Sequence, residues 1–588
     1  MSTNDSDGSG RDVAGSAVPA VVHEWLREFE GALNGQDPEC LRDLFWSDGS
    51  WRDILAITGS IRTADGSDAI ADLAEEAAQS PRPRQIHISE DIQALATVRY
   101  GMELTEVTFD FTTEVGEGKG IVRLLVKEDP EVLKALVLMT ALRSLERSTG
   151  RPTFLGPMDG PDGEKWAEKR KYESEYGDRD PAVLIVGAGQ AGLSAAAWLK
   201  ALGVDTLVVE KWPRVGDNWR SRYESLKLHN DTASNHLPFI PFPDFFPRYI
   251  PKDKLGNWFE FYADALELNV WTSTTFKFAE YDGGTQRWTV SLDRSGVDRM
   301  VCPRHVVVAT GVSGIPNVPR IGGLEDFAGT VSHTTQYTDG SSFRNDRVLV
   351  VGSGTSGHDV AQDLFLHGAE VTMMQRSKTV VTSCKPGGRK YQELYLSGRP
   401  IEECDLISLA ATYPMQKRWL PVLNQEIAAL DKDLLDGLNA AGFETHYGDD
   451  GMGLAYEYRR RGGGYYIDIG CSKLIIDGKV KIIHARDVER FAEKGIVLND
   501  GSLLEFDAVV LATGYKSMQE GVRSLFGSEI AERVGKVWGL NEEGEFNNIG
   551  RRTAQEGLWF LAGGFPEARQ YSRHLALQIQ AAEAGVVL

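Results

Sequence analysis

Two glycine triplets with the same internal spacing are the first residues in this sequence whose types and positions suit a particular chemistry. Gly187, Gly189 and Gly192 follow the apolar run VLIV and open a helix of small residues, and Gly352, Gly354 and Gly357 follow VLVV. In such a turn the first glycine allows a tight reversal, the second lets the backbone approach a pyrophosphate, and the third lets helix pack on strand. The helix N-terminus then faces the phosphates. In the first unit the next strand ends at Glu210, an acid placed to accept hydrogen bonds from a ribose diol. The second unit aligns with it without a gap: each glycine falls 165 positions later, and Gln375 falls in the place of Glu210. Glu210 repels a 2′-phosphate and suits FAD or NAD. The neutral Gln375 removes that repulsion, and Arg376, Ser377 and Lys378 offer charge-assisted hydrogen bonds to a phosphate, which is an NADPH signature. Arg376 as an ordinary surface arginine is the competing reading.

The elements that must hold these turns are legible around them. VVVATGVSG and VVLATGYKS, starting at Val306 and Val509, each carry a buried strand ending in Ala-Thr-Gly, as expected of a strand returning to a nucleotide sheet after an excursion. The expected fold is α/β, with two Rossmann-like dinucleotide-binding domains, the first for FAD or NAD and the second for NADPH, preceded by a small α+β cone. The expected limits are a disordered tail over 1–20, the cone over 21–150, a Gly/Pro/charge-rich connector over 151–180, the first dinucleotide domain over 181–345 and 500–588, and an NADPH domain over 346–499. The last of these carries a helical, substrate-side insertion over 384–465. Two dinucleotides in one chain imply electron transfer between them.

In the cone, VVHEWLREFEGALNG has apolar residues at helical spacing, PECLRDLF reads as a second short helix, and strands follow. The order resembles the nuclear transport factor 2-like, or ketosteroid isomerase-like, superfamily by pattern alone. Trp51, Asp53 and His87 are placed to line a pocket there, but packing, dimerisation or docking against the rest of the chain is favoured over catalysis.

Composition narrows the partners. The 588 residues hold 63 basic and 85 acidic side chains, a net charge of −22 that repels nucleic acid and anionic membranes unless a basic patch offsets it. Arg459-Arg460-Arg461 is too short a run, followed by glycines, to read as one. Five scattered cysteines offer neither a disulfide framework nor metal-ligand spacing and point to the reducing cytosol. No apolar run approaches the ~18 residues needed to span a bilayer. No metal, nucleic acid or membrane is expected as a partner; a homodimer stays open.

Phe327-x-Gly329-x-x-x-His333-x-x-x-Tyr337 resembles the fingerprint of class B flavoprotein monooxygenases. Tyr337, where Trp marks the typical Baeyer-Villiger enzymes, and Ala512-Thr513-Gly514-Tyr515 are similar to the flavin-containing and N-hydroxylating branch. RVGDNWRSRYESLKLHN resembles the GGxW region with Gly216 and Trp219 kept and Asp217 in place of the second glycine, and YPMQKRWLPVL through GGYYIDIG resembles the YUCCA group. The likeness covers about 180–588 and leaves the first 150 residues outside the family plan.

The resemblance implies an NADPH-dependent flavin monooxygenase that inserts one atom of O2 into a small organic substrate through a C4a-(hydro)peroxyflavin, in a pocket kept dry against peroxide loss. It implies FAD contacts from Gly187, Gly189, Gly192, Glu210, Lys211 and Trp219, with His229 beside them. Asn230 falls near the asparagine that faces the flavin, with His229, Asp231 and Asn235 as rivals. His333 and Tyr337 are the other catalytic candidates, His333 favoured as a structural coupler of the interdomain linkers. In the last helix Gln570 and Ser572 either face the ring or belong to the core. A disulfide reductase lacks its cysteine pair here. An uncoupled NADPH oxidase and a redox sensor whose N-terminal domain binds a partner are the alternatives.

Overall fold

The computed structural model describes residues 20–77, 82–90, 95–99, 101–126, 133–146, 165–448 and 450–588. The expected tail, except Ala20, and the first part of the expected connector lie outside them. The rest of the connector is not plain linker: it forms helix α4 (Trp166–Glu175), which Arg170 fastens to Glu267 O at 2.7 Å.

The N-terminal domain starts with α1 (Ala20–Gly35), which buries Val22, Trp25, Leu26, Phe29 and Leu33 on one face, and α2 (Pro38–Leu44), capped by the Asp37 carboxylate accepting from Cys40 N. With α3 (Ser67–Glu76) they cover a sheet of β1 (Phe45–Ile54), β2 (Ile61–Asp65), β3 (Arg84–Ile88), β4 (Leu95–Arg99), β5 (Met102–Thr112), β6 (Gly116–Leu125) and β7 (Lys134–Leu145), ordered β2-β1-β7-β6-β5-β3 with β4 also on β5. Its concave side is filled. Trp51 stands edge-on to Phe29, and the rings of Phe111 and Phe109 lie over Gly118 and Gly120, where a Cβ would meet ring carbon at 2.2 Å in each case. Asp53 is buried and accepts from Thr58 N (2.8 Å), Thr58 Oγ1 (2.7 Å) and Thr140 Oγ1 (2.5 Å), while His87 is exposed. Of the pocket candidates, Trp51 and Asp53 are therefore core and His87 lies on the surface.

The two glycine-rich units share one architecture. In the first, β8 (Val183–Val186), α5 (Gln190–Ala201), β9 (Thr206–Val209), α6 (Asp217–Arg220), α7 (Lys252–Ala265) and β10 (Val270–Trp271) lead to a meander of β11 (Thr274–Asp282), β12 (Arg287–Arg294) and β13 (Val297–Val301), and β14 (His305–Val308) returns to the sheet. In the second, β15 (Thr330–His333), β16 (Arg347–Val351), α8 (Thr355–Leu366) and β17 (Glu370–Gln375) are followed by β18 (Val380–Ser383) and five helices: α9 (Gly387–Tyr391), α10 (Ile401–Leu409), α11 (Tyr413–Leu430), α12 (Lys432–Ala440) and α13 (Gly453–Arg461). Then come β19 (Tyr465–Asp468), α14 (Cys471–Ile476), β20 (Val480–His484), a meander of β21 (Val488–Ala492), β22 (Gly495–Leu498) and β23 (Leu503–Glu505), and the returning β24 (Ala508–Leu511). Helices α15 (Met518–Phe526) and α16 (Ser528–Val534), strand β25 (Leu558–Phe560) and α17 (Phe565–Ala584) complete the chain.

Both sheets are parallel and five-stranded, ordered β10-β9-β8-β14-β25 and β15-β24-β16-β17-β20. The inner strands β8 (VLIV) and β24 (AVVL) are uninterrupted apolar runs because both faces are covered, whereas the edge strands β15 (TVSH) and β20 (VKIIH) are partly exposed. The second sheet corrects the expected limits: β15 and β24 lie outside 346–499 and belong to it, because Val331 pairs with Val509 and Leu349 pairs with Val509 from the other side. Helices α10 and α11 of the insertion also differ from a purely substrate-side wall, since they pack against the N-terminal sheet, with Met415 among Leu104, Leu125, Leu136 and Val137.

Candidate functional site

Each unit builds its turn against its own returning strand. Gly187 has φ +107° and a Cβ there would lie 2.8 Å from Ala309 O; Gly352 has φ +121° and its Cβ would lie 2.3 Å from Ala512 O. A Cβ on Gly192 or Gly357 would strike the carbonyl of that first glycine, at 1.9 and 2.2 Å. The middle glycines differ. A Cβ on Gly354 would meet nothing nearer than Tyr465 O at 3.9 Å, and one on Gly189 only the Asn218 amide at 3.2 Å. The outer glycines are thus demanded by the protein's own backbone, whereas the middle ones leave room for a group from outside the chain. Gly189 and Gly354 also start α5 and α8 with no side chain capping the helix, so the first N–H groups face an anion unopposed.

At the end of β9, buried Glu210 accepts from Ala188 N (2.8 Å) and Trp212 N (3.1 Å), which fixes its carboxylate beside the glycine turn. Lys211 is exposed, with its ammonium 5.4 Å from the Trp212 ring. Gly216 begins α6 at φ +89° against Gly256 O, and Asp217 accepts from Arg214 N (3.1 Å) and Arg220 Nη1 (2.7 Å), so the departure from the GGxW pattern is absorbed locally. Trp219 stacks on Phe565, ring centres 6.5 Å apart. Its indole N–H and the Asn218 amide oxygen are buried with no partner among the described residues. These orphaned atoms fit a polar cofactor passing between α6 and the Gly189 turn.

At the end of β17, Gln375 is 1% exposed and its amide bonds both ways to the Glu444 backbone, accepting from N at 2.9 Å and donating to O at 2.8 Å. It therefore supplies neutrality and not a ligand contact. Arg376, Ser377 and Lys378 are exposed and line a cleft of about 930 Å³ with Gly352, Gly354, Asn317, Gly514, Tyr515 and Trp538. Arg222, Arg460, Arg461, Arg490, Lys516 and Lys536 also border it, against Glu457 and Glu489. The expectation of no basic patch is corrected here: cations distant in sequence converge on one concave wall of an acidic chain, where they focus an attractive field for phosphates. Tyr515 OH, Trp538 Nε1 and Arg222 Nε are buried without a partner among the described residues, again a fit for a polar ligand.

The expected catalytic residues divide. His333 is buried; its Nδ1 accepts from Thr335 N (3.2 Å) and its Nε2 lies 3.1 Å from Gly514 O, to which it donates as the neutral tautomer. Burial pushes its pKa down. The ring pins the linker to the Ala-Thr-Gly turn and has no proton free to transfer. Tyr337 is corrected as a catalytic candidate: it lies in the core of the second unit with its hydroxyl on Asp363 Oδ2 at 2.6 Å, and burial followed by Asp363 pushes its pKa up. Asn230 is exposed, whereas its rival Asn235 is buried and donates to Asn230 O at 3.3 Å. Asp231 accepts from Ala233 N. His229 Nε2 lies 3.6 Å from Asp359 Oδ1; burial lowers its pKa and Asp359 opposes that. Gln570 donates to Tyr395 OH and Asp405 Oδ1, both at 3.1 Å, and Ser572 is core, bonded to Arg569 O.

Comparison with known proteins agrees with this layout. The family model described as pyridine nucleotide-disulphide oxidoreductase matches residues 184–387. The rice (Oryza sativa subsp. japonica) indole-3-pyruvate monooxygenase YUCCA1 is 34% identical over 343 residues, covering 57% of this chain and 77% of that protein. The Arabidopsis thaliana probable indole-3-pyruvate monooxygenase YUCCA3 is 32% identical over 342 residues, 57% and 73% of the two chains. Among solved structures, an oxidized steroid monooxygenase bound to NADP superposes over 69% of this chain and 85% of its own at TM-score 0.51 and 21% identity. An open cyclohexanone monooxygenase covers 69% and 88% at TM-score 0.51 and 17% identity, a likeness of fold.

Proposed function

The chain belongs to the flavin monooxygenase family of the plant indole-3-pyruvate monooxygenases, and we propose that the substrate it oxygenates is a small 2-oxo acid. It is an FAD- and NADPH-dependent monooxygenase. The flavin, when bound, takes the hydride from NADPH and activates O2 for transfer of one oxygen atom. In our reading Gly187, Gly189, Gly192, Glu210, Lys211 and Trp219 hold FAD, and His229 flanks it. Gly352, Gly354, Gly357, Arg376 and Ser377 hold NADPH, with Lys378 beside the 2′-phosphate. Asn235 replaces Asn230 as the better candidate to face the flavin, because its amide is buried.

The observation that carries the substrate class is the 34% identity to an enzyme named for indole-3-pyruvate. The cationic cleft supports it, since a carboxylate suits Arg222, whose Nε is buried without a partner among the described residues. We read the N-terminal domain as a nuclear transport factor 2-like cone whose pocket has been filled by aromatic rings, and the cytosol as its compartment. The test supplies the holoenzyme with NADPH and ¹⁸O2 and a panel of 2-oxo acids, ketones, amines and sulfides. Incorporation of one labelled atom into a 2-oxo-acid product is expected. Labelled product from amines or sulfides and none from any 2-oxo acid refutes the substrate class.

A further inference from the structure

The oxygenase family plan leaves the first 150 residues without a task, and aromatic rings pack one face of the N-terminal sheet. Its other face is not free. Ser50, Arg52 and Arg123 point from β1 and β6 into the oxygenase, where Arg52 and its partner Glu545 are 8% and 3% exposed. Arg52 donates to both Glu545 oxygens (2.8 and 2.7 Å), to Tyr571 OH on α17 (2.9 Å) and to Leu409 O (3.0 Å). Arg123, itself held by Glu106 at 2.7 Å, donates to Ala410 O (2.9 Å) and Ile407 O (3.2 Å). Ser50 and Thr412 share a hydrogen bond of 2.6 Å.

The three carbonyls taken by the two arginines are those that close α10. They carry the negative end of its dipole and have no partner within the helix, so two buried cations hold this end by charge as well as by hydrogen bonds. The same helix presents Asp405 to α17: it accepts from Arg569 Nε (2.6 Å) and Nη2 (2.7 Å), from Tyr395 OH (2.8 Å) and from Gln570 (3.1 Å). Arg569 then donates to Ser234 O (3.1 Å) and His236 O (2.7 Å), which flank Asn235. Polar contacts, buried at the arginine clamp and part-buried around Asp405, with α10 between them, thus join the N-terminal sheet to the loop that carries the flavin-side candidate. Removing one partner from such a series leaves the others desolvated and unpaired, so the loop's position is coupled to the docking of the domain.

We infer that the N-terminal domain is a positioning element of the oxygenase: Arg52 and Arg123 clamp the end of α10, and through Asp405 and Arg569 they hold the 234–236 loop closed over the reacting site. The domain keeps the pocket tight against water and recruits no partner through this face. The inference rests on the reading of that loop as the flavin side. In a loosened site, reduced enzyme loses its electrons to O2 as hydrogen peroxide, consuming one NADPH and one proton and returning NADP+ and H2O2.

The test measures NADPH-dependent peroxide release by full-length holoenzyme without substrate, so it does not depend on which 2-oxo acid is oxygenated. The variants are Arg52→Gln with Glu545→Gln, which keeps the buried pair neutral and similar in volume, then Arg123→Gln, Arg52→Lys and Asp405→Asn. A displacement of even ~1 Å at a reacting site commonly costs about a hundredfold, so a rise of about tenfold in peroxide rate is expected for the double, Arg123 and Asp405 variants. The KM for NADPH and the bound FAD should stay within about twofold, because the glycine turns lie outside the series, and Arg52→Lys should restore part of the parent behaviour. An unchanged peroxide rate in Asp405→Asn overturns the inference at the loop. A rise in Asp405→Asn with parent-like rates in both arginine variants overturns the role of the domain.

Discussion

Replacing Arg376 by Ala should convert much of the preference for NADPH over NADH into indifference. Gln375 is locked to the Glu444 backbone and cannot rotate to compensate, so the lost guanidinium has no substitute within its own strand. Ser377 and Lys378 remain on the cleft wall and keep part of the phosphate affinity. A hydrogen bond to a charged group contributes ~1.5–3 kcal/mol, and the solvent exposure of Arg376 puts its share at the lower end, which is about tenfold in affinity. The kcat/KM for NADPH should therefore fall about tenfold while that for NADH changes by less than about twofold, and the difference should shrink as salt is raised. Steady-state rates with both nucleotides at two ionic strengths measure this. A ratio of the two kcat/KM values that stays at the parent value refutes Arg376 as the selector, and an equal fall with both nucleotides makes it a structural residue.

Gly354→Ala has open space around the new methyl and a backbone angle of φ −83°, so the variant should melt within about 0.5 kcal/mol of the parent yet bind NADPH far more weakly. Gly357→Ala, which overlaps Gly352 O, should instead reduce soluble yield; titration calorimetry and melting curves separate the two. Tyr337→Phe removes one donor from buried Asp363, which keeps Gly340 N at 2.8 Å, so a loss of ~1–3 kcal/mol in stability with unchanged peroxide yield per NADPH is expected. For Glu106, burial raises the pKa but Arg123 and Arg99 outweigh it and bring it from 4.5 to about 2. Because the folded value is depressed, its stabilisation is present above about pH 4.5 and is lost as pH falls toward about 2, on the order of 3 kcal/mol in all. Glu106→Gln should flatten the stability profile across that window in denaturant melts at stepped pH.

Features that depend on near neighbours were legible in the residue order. Two glycine turns, the strands before them, the acid or amide at their ends and the returning Ala-Thr-Gly strands are spaced by the geometry of one strand–turn–helix unit, so they read directly from residue order. The same holds for α1 and α2, whose apolar spacing and Asp37 cap are local. Where side chains on those elements point depends on long-range packing that residue order does not carry. That packing turned Gln375 inward onto Glu444, sent Tyr337 into the core on Asp363, exposed Asn230 and buried Asn235 five residues on. It also gathered Arg222, Arg376, Arg460 and Lys516 onto one wall, although Arg460 stood in a run too short to read as a basic patch. The docking of the N-terminal domain is the extreme case, since Arg52 and Glu545 are separated by 493 positions. Burying a guanidinium and a carboxylate is tolerated only when each meets the other and their remaining donors and acceptors are filled. That condition involves four segments at once, and no stretch of the chain carries it alone.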